Sequence, residues 1–243
     1  MYSKTSIYKQ MKAISHLKEL KKRFVISFIF SIISFAILYY FIENIALFIS
    51  KPLKINQEVV FISTSITETF FSYLSLSAYC AIGVSTPFYL VQVYLFLRPG
   101  MYQSERKTVY LAFTGFVVMF VIGAMFMYYL VLPKAVLFLT KYQQSAVINI
   151  KMHAKISELV STILYLVIGF GIAFQLPLVL ILLAKYGLIT HQTLVSKRRF
   201  AILFIFIFAA FATPPDIISQ IILATVMMAL YEVTVLIIKK LRK

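Results

Sequence analysis

The sequence RPGMYQSERK, at positions 98–107, is a ten-residue polar stretch between two long apolar segments. The segments on either side, 70–97 and 109–132, each exceed the roughly 20 helical residues that cross the hydrocarbon core of a bilayer. Pro99 and Gly100 together indicate a turn. The stretch is therefore predicted to be a loop that joins two membrane-spanning helices on one side of a membrane.

The composition of the whole chain agrees with a membrane protein. Hydrophobic residues make up 61% of the 243 residues and charged residues 13%, whereas soluble domains average about 45–50% apolar and about 25% charged. The mean hydropathy is +0.91. Membrane spans and short loops account for almost the entire length, so we predict an all-α, polytopic membrane protein with one integral membrane domain over 1–243. Almost no length is left for a soluble domain.

No cofactor or metal site is predicted. The three histidines, His16, His153 and His191, have no second type of metal ligand at useful spacing. Cys80 is the single cysteine, so a disulfide within the chain is impossible. The net charge of +16 does not indicate nucleic-acid binding, because the chain has no exposed domain in which bases and aromatic residues alternate.

Six spans are predicted, at 24–42, 70–97, 109–132, 159–184, 200–212 and 217–238. The first follows basic residues, yet it is too long for a secretory signal and lacks a small-residue cleavage site, so we interpret it as a retained span. The fifth has only 13 apolar residues, which rise about 20 Å against a hydrocarbon core of roughly 30 Å. The sequence TPPD at 213–216 must end that helix, since proline removes backbone donors. Prolines inside spans, Pro87 and Pro177, predict kinks and a bent, concave bundle.

The basic residues predict the orientation. If both termini lie on one side, that side carries 18 of the 24 lysines and arginines. The positive-inside rule then places both termini in the cytoplasm or its organellar equivalent. We also expect these bases to contact anionic lipid headgroups.

Only two acids, Glu19 and Glu105, occur in the loops on that side, and each is flanked by bases. One interpretation is local pairing, of Glu19 with Lys22 or Arg23 and of Glu105 with Arg106 or Arg98. Exposed pairs of this kind contribute about 0–1 kcal/mol. The other interpretation is that both carboxylates are bidentate acceptors for an incoming guanidinium group, a geometry that arginine fits and lysine does not.

Further polar residues lie in or near the predicted spans. Gln175 is in the middle of the fourth span, where it forms an interhelical hydrogen bond or lines a path. Glu68 and Asp216 lie at the outer edge. Glu232 is near the inner end of the last span, where we expect it to pair with headgroup water or Lys239.

Several motifs together resemble the TatC family. They are HLKELKKR at 16–23, TETFF at 67–71, PFYLVQVYLFLRPGMYQSERK at 87–107, FGIAFQLP at 170–177, RRFAILFIFIFAAFATPPDIISQIILA at 198–224 and LYE at 230–232. The resemblance covers nearly the whole chain in the same order. The most specific parts are TPPD followed by SQ, and the loop PGMYQSER.

The resemblance implies six spans in a concave, glove-like bundle with short fifth and sixth helices and both termini cytoplasmic. It also implies the receptor of the twin-arginine translocase, which exports folded proteins with the transmembrane proton-motive force. Glu19 and Glu105 would recognise the paired arginines of a signal peptide, alongside the bases Lys21, Arg23 and Arg106. Polar positions implied by the family are Gln175, Glu68, Asp216 and Gln220, and structural positions are Pro52, Pro87, Phe96, Pro99, Pro214 and Pro215.

The partners implied are TatA- and TatB-type single-span subunits along the last two spans, twin-arginine signal peptides, anionic lipids and further copies of the chain. The membrane would be the bacterial cytoplasmic membrane or an organellar one, the mitochondrial inner membrane or the plastid thylakoid. Three positions depart from the family pattern: Lys21 replaces an arginine, Gln175 a glutamate and Val226 a proline.

Two rival functions remain at this point. One is a small secondary transporter with a polar site near Gln175, although the chain lacks an inverted repeat and a cluster of intramembrane charges. The other is a structural assembly subunit with no receptor role.

Overall fold

The computed structural model describes the chain at 4–51, 60–63, 65–137, 153–213 and 217–241. Nine α-helices have both ends within these ranges. They are α1 (Lys4–Tyr40), α2 (Ile42–Ser50), α3 (Glu68–Leu97), α4 (Gln103–Phe126), α5 (Ile156–Ala173), α6 (Leu176–Lys185), α7 (His191–Ser196), α8 (Arg198–Ala212) and α9 (Ile217–Leu241). The predicted all-α class is confirmed.

Five stretches of helix are long and apolar enough to cross a membrane. They are Lys18–Tyr40, Glu68–Gly100, Glu105–Leu137, Val160–Lys185 and Ile217–Lys240. The predicted fifth span is α8, whose 15 residues rise about 22 Å. The expectation of a short helix therefore holds for α8, whereas α9 has 25 residues and is long enough to span.

The first helix begins well before the predicted span, at Lys4. The basic stretch at 16–23 is consequently helical and continuous with the span. Glu19 and Arg23, four residues apart on α1, therefore lie on the same face of the helix.

Two predicted spans contain a break. The third consists of α4, a π-helical turn at Met127–Val131 and a further helical stretch at 132–137. The π turn precedes Pro133, whose ring does not fit a regular α-helix. The fourth span consists of α5 and α6, which are separated at 174–175, and Pro177 lies in the first turn of α6. Where the sequence predicted a kink at Pro177, one helix ends and another begins.

An all-α chain was predicted, but two short strands are present. Strand β1 (Val60–Ile62) pairs in parallel with β2 (His153–Lys155), with Val60 opposite His153. Strand β2 leads directly into α5. Three-residue strands contain too few residues for an alternating pattern to be recognised.

The residues form two compact groups, each described by itself. The first contains Met1–Ile42 and Leu74–Thr114. In it α1 packs on α3, with the rings of Phe30 and Phe88 stacked at 4.3 Å and the hydroxyls of Ser31 and Tyr89 hydrogen-bonded. That 1–243 forms a single domain stays a prediction.

The second group contains Glu43–Tyr73 and Gly115–Lys243. Its buried core includes Met127, Leu166, Phe170 and Leu223. Helices α5 and α8 approach each other closely at Gly169, where an added Cβ would lie 2.5 Å from the carbonyl oxygen of Ala212. Such contacts are typical of membrane helices, which pack backbone against backbone at small residues.

Candidate functional site

A guanidinium group is held between α1 and α3 in the first group. Arg23 donates from Nε and from Nη2 to the same oxygen of Glu19, Oε1, at 3.1 and 2.6 Å. Its remaining terminal nitrogen, Nη1, donates to Oε1 of Gln92 at 3.1 Å. All three nitrogens of the Arg23 side chain therefore have an acceptor, and the acceptors come from two helices.

This cluster is partly shielded from water. The side chain of Arg23 is 22% exposed and that of Glu19 is 37% exposed. Charge-assisted hydrogen bonds strengthen as the local dielectric falls, so the pair contributes more than a fully exposed one. The local pairing predicted for Glu19 is thus confirmed, with Arg23 as a partner.

A mainly apolar groove of about 360 Å³ lies beside the cluster. Three phenylalanines contribute to it, and the predicted structural residue Phe96 is one of them. The lining residues are Leu20, Arg23, Phe24, Ser27, Phe28, Tyr89, Gln92, Val93 and Phe96. The groove therefore places an apolar surface next to a charged, guanidinium-binding group.

Glu105 has a different environment. It is the third residue of α4, and its Oε2 accepts the backbone N–H of Tyr102 at 3.2 Å. The backbone N–H of Glu105 in turn bonds to the carbonyl oxygen of Tyr102 at 3.0 Å. A glutamate that reaches back in this way satisfies one of the free N–H groups at a helix start.

The predicted pairing of Glu105 with Arg106 or Arg98 is wrong. Among the described side chains, Glu105 forms no ion pair, because its carboxylate faces the start of its own helix. The Nε atom of Arg106 is buried and lacks a hydrogen-bond partner in the described part of the chain. Lys21 is exposed, and Pro99 lies in the 3-10 turn Arg98–Gly100 that precedes α4.

Glu68 and Gln220 lie at the beginnings of two helices in the second group. Glu68 starts α3, and its Oε1 accepts a hydrogen bond from the hydroxyl of Ser157 at 2.6 Å. Gln220 is half-buried in the first turn of α9. Pro87 is inside α3. The predicted positions Pro52, Pro214, Pro215 and Asp216 lie outside the described residues.

Gln175 is 4% exposed and lies at the break between α5 and α6. Its side-chain nitrogen donates to the carbonyl oxygen of Phe116 on α4 at 2.9 Å, and also to that of Gly171 at 3.4 Å. The predicted interhelical hydrogen bond is confirmed. Its Oε1 is buried without a partner among the described residues.

Glu232 does not have the expected partner. Its Oε2 accepts a hydrogen bond from Nη2 of Arg198 at 2.7 Å, in a pair whose two side chains are about half exposed. The pairing predicted with Lys239 is therefore wrong. Arg198 begins α8, so the ion pair joins the short helix to α9.

Comparison with known proteins assigns the family. The family model described as Sec-independent protein translocase protein (TatC) matches residues 15–225. The chain belongs to the TatC family. It is accordingly a subunit of a Sec-independent protein translocase, a transport component and not an enzyme.

Individual TatC proteins are similar in sequence to this chain over almost the full length of both. The chain is 41% identical to the Sec-independent protein translocase protein TatC of Rickettsia prowazekii, over 91% of this chain and 90% of that one. It is 36% identical to the Helicobacter pylori (strain J99) protein of the same name, over 92% of this chain and 87% of that one. A crystal structure of the twin-arginine translocase receptor TatC superposes with a TM-score of 0.76 at 32% identity, covering 94% of this chain and all of that one.

The TatC family assignment weakens the transporter interpretation, and the geometry at Gln175 gives a further reason. Both donor contacts of its amide go to backbone carbonyls of neighbouring helices, so the group binds the protein itself. Gln92 belongs to the cluster although it was not predicted as a site residue from the sequence. Its signal was available, because it is a lone amide in the apolar run PFYLVQVYLFL.

Proposed function

We propose that this chain is the receptor and core subunit of the twin-arginine translocase, and that Glu19 and Glu105 bind the paired arginines of signal peptides on folded proteins. The observation that supports the proposal best is that Glu19 already holds a guanidinium group, that of Arg23, through two donors at 2.6 and 3.1 Å. The site therefore has the chemistry that arginine recognition requires.

Arginine is favoured over lysine for a physical reason. Its planar group presents several N–H donors in a fixed fork, whereas lysine offers one compact ammonium group. Each hydrogen bond to a charged group contributes about 1.5–3 kcal/mol. Replacing two arginines by lysines keeps the charge but loses the fork, so we expect binding to weaken.

The groove beside Glu19 would receive the apolar part of the signal peptide. Burial of apolar surface contributes about 25 cal/mol per Å², and Phe24, Phe28 and Phe96 supply large apolar side chains there. The polar and apolar contributions would add in one ligand that carries its arginines next to a hydrophobic segment.

Glu105 would supply the second carboxylate. Its carboxylate accepts one hydrogen bond, from the Tyr102 N–H to Oε2, and Oε1, which accepts none from the described residues, would bind the ligand. The adjacent Arg106 and the exposed Lys21 would keep the surface basic and fix which side of the membrane it faces.

Orientation and partners complete the proposal. Both termini would face the cytoplasm, or the matrix or stroma of an organelle, as the distribution of basic residues predicts. TatA- and TatB-type single-span subunits would pack along α8 and α9, where Phe204 and Phe211 are largely exposed. Further copies of the chain and anionic lipids would join the complex, and the proton-motive force would drive transport.

Export of a folded reporter with a twin-arginine signal tests the proposal. Glu19→Gln and Glu105→Gln keep the side-chain size and remove the charge, and we expect each to reduce export and the double variant to abolish it. Glu43→Gln, at an exposed acid on α2, is the charge-matched control. Normal export by the double variant would refute the receptor role.

A further inference from the structure

We propose that Glu19 and Gln92 form a guanidinium cradle, that Arg23 is its resident occupant, and that a signal-peptide arginine binds by displacing Arg23. This inference rests on the proposed function. It adds a further specificity-determining residue, Gln92, and it makes Arg23 a competitor of the signal peptide for the same two oxygens. The cradle consists of two oxygen atoms, Oε1 of Glu19 on α1 and Oε1 of Gln92 on α3.

The geometry of the cradle fits one guanidinium group. Two nitrogens of Arg23 converge on the carboxylate and the third reaches the amide oxygen, at 2.6–3.1 Å. Since both cradle atoms are acceptors, they select a ligand that only donates. Glu19 and Gln92 lie on different helices, and a lysine ammonium, which has one nitrogen and no fixed fork, matches their two oxygens less well than a guanidinium does.

When one arginine replaces another in the cradle, as many hydrogen bonds form as break. The incoming guanidinium makes the same hydrogen bonds that Arg23 gives up, and no carboxylate is left buried and unpaired at the end of the exchange. Arg23 can leave because its side chain is 22% exposed and flexible, so its charge reaches water once released. Occupation by Arg23 lowers the apparent affinity of arginine and lysine signals by the same factor, so the discrimination between them depends on the fork geometry that the cradle accepts.

The resident arginine also lowers the apparent affinity. A ligand whose site is open only part of the time binds with its intrinsic dissociation constant divided by the open fraction. A peptide with a single arginine and no further contact would therefore bind too weakly to displace Arg23. A peptide that also fills the neighbouring groove, along Phe24 and Phe28, gains the additional apolar contact.

The rival interpretation is that Arg23 is only a positioning residue that orients Glu19. The two interpretations predict opposite signs for one substitution. If Arg23 competes with the ligand, its removal opens the cradle and tightens binding; if it positions Glu19, its removal loosens the carboxylate and weakens binding.

The test uses the full chain, purified in detergent, and a fluorescent synthetic signal peptide with paired arginines or paired lysines. For Arg23→Ala we expect the arginine peptide to bind about three- to tenfold more tightly, as relief from a partly closed site predicts. Arg23→Lys keeps the charge and loses the fork, and we expect it to tighten binding as well. Unchanged or weaker binding in both variants would overturn the competitor role.

Two further variants test Gln92. In the Arg23→Ala background, where no resident arginine shares the loss, Gln92→Leu removes the amide oxygen, and we expect binding of the arginine peptide to weaken at least about tenfold, the loss of one hydrogen bond to a charged group, with little change for the lysine peptide. In the same Arg23→Ala background, Gln92→Glu places a second carboxylate in the cradle, and we expect tighter binding of the arginine peptide. Equal loss of both peptides in Gln92→Leu would overturn the specificity role.

Controls separate this inference from the proposed function. Lys22→Ala removes one exposed cation from the same helix without touching the cradle, and it measures the general electrostatic effect that must be subtracted. Glu19→Gln tests the receptor role itself: unchanged peptide binding there would refute the proposed function. Weaker binding in Glu19→Gln, together with no tightening in Arg23→Ala, would refute only the cradle exchange.

Discussion

The side-chain amide of Gln175, at the break between α5 and α6, donates a hydrogen bond to the backbone carbonyl of Phe116 on α4, 2.9 Å away. The family resemblance gives glutamate at this position in many members, but the observed contact requires a donor. A carboxylate has no hydrogen to donate. In this chain the position therefore works as a neutral donor that joins α4 to the break between α5 and α6.

We predict that Gln175→Glu is less stable than the wild type, because an ionised carboxylate would face the carbonyl oxygens of Phe116 and Gly171. The loss should be large in alkaline buffer and smaller in acid, where a protonated carboxyl can donate one hydrogen bond. Gln175→Leu is the uncharged control, which removes the hydrogen bond to the Phe116 carbonyl at a cost of about 0.5–1.5 kcal/mol. Thermal unfolding in detergent at two pH values measures both, and a Gln175→Glu variant as stable as the wild type in alkaline buffer would contradict the assignment.

Close packing at Gly169 gives a second prediction. A Cβ there would lie 2.5 Å from the carbonyl oxygen of Ala212, so Gly169→Ala must push α5 away from α8, at a cost of about 1–3 kcal/mol. Gly83→Ala is the matched control, since no atom lies within 4 Å of its added Cβ and alanine favours helix more than glycine does. Thermal unfolding compares the two; equal stability would show that α5 and α8 are not packed as described.

Glu105 combines two roles that substitutions can separate. Glutamine at this position can still accept the Tyr102 N–H and so retain the start of α4, while it loses the charge proposed to bind arginine. We expect Glu105→Gln to unfold at the wild-type temperature and to bind the signal peptide more weakly. Glu105→Ala should lose both the hydrogen bond from the Tyr102 N–H and the charge, with a stability cost of about 1 kcal/mol for the lost cap. If Glu105→Gln bound the peptide normally, Glu105 would be structural only.

The ion pair between Arg198 and Glu232 should contribute little to stability. Both side chains are about half exposed, and exposed pairs contribute about 0.2–1 kcal/mol. A double-mutant cycle with Arg198→Ala and Glu232→Ala should give a coupling energy within that range. The same cycle with Lys239→Ala in place of Arg198→Ala should give none, and a larger coupling to Lys239 would contradict the observed pairing.

Much of the architecture could be predicted from the sequence, because the bilayer requires long apolar helices and each predicted span is a predominantly apolar run. The short α8 followed from counting residues between Phe200 and TPPD. The breaks inside the spans were harder to predict. Pro177 signals one and Pro133 the other, but whether a proline bends a helix or ends it depends on which neighbours satisfy the freed carbonyls.

The site was only partly predictable. Glu19 and Arg23 follow from helical spacing once α1 is known to extend back through the basic stretch. Gln92 lies 69 residues further along the chain than Arg23, and only the packing of α1 on α3 brings the two together. The partner of Glu232 was mispredicted for the same reason, since Arg198 is distant in sequence and Lys239 is near.

Photo-crosslinking tests the central claim most directly. A photoreactive residue is placed next to the paired arginines of a signal peptide, and its attachment sites on the membrane-embedded chain are mapped. We predict crosslinks to the loop at 98–107 and to α1 around Glu19, which disappear in the Glu19→Gln, Glu105→Gln double variant and with a lysine-pair peptide. The same crosslinks at wild-type yield in the double variant would contradict the claim that these two carboxylates recognise the signal.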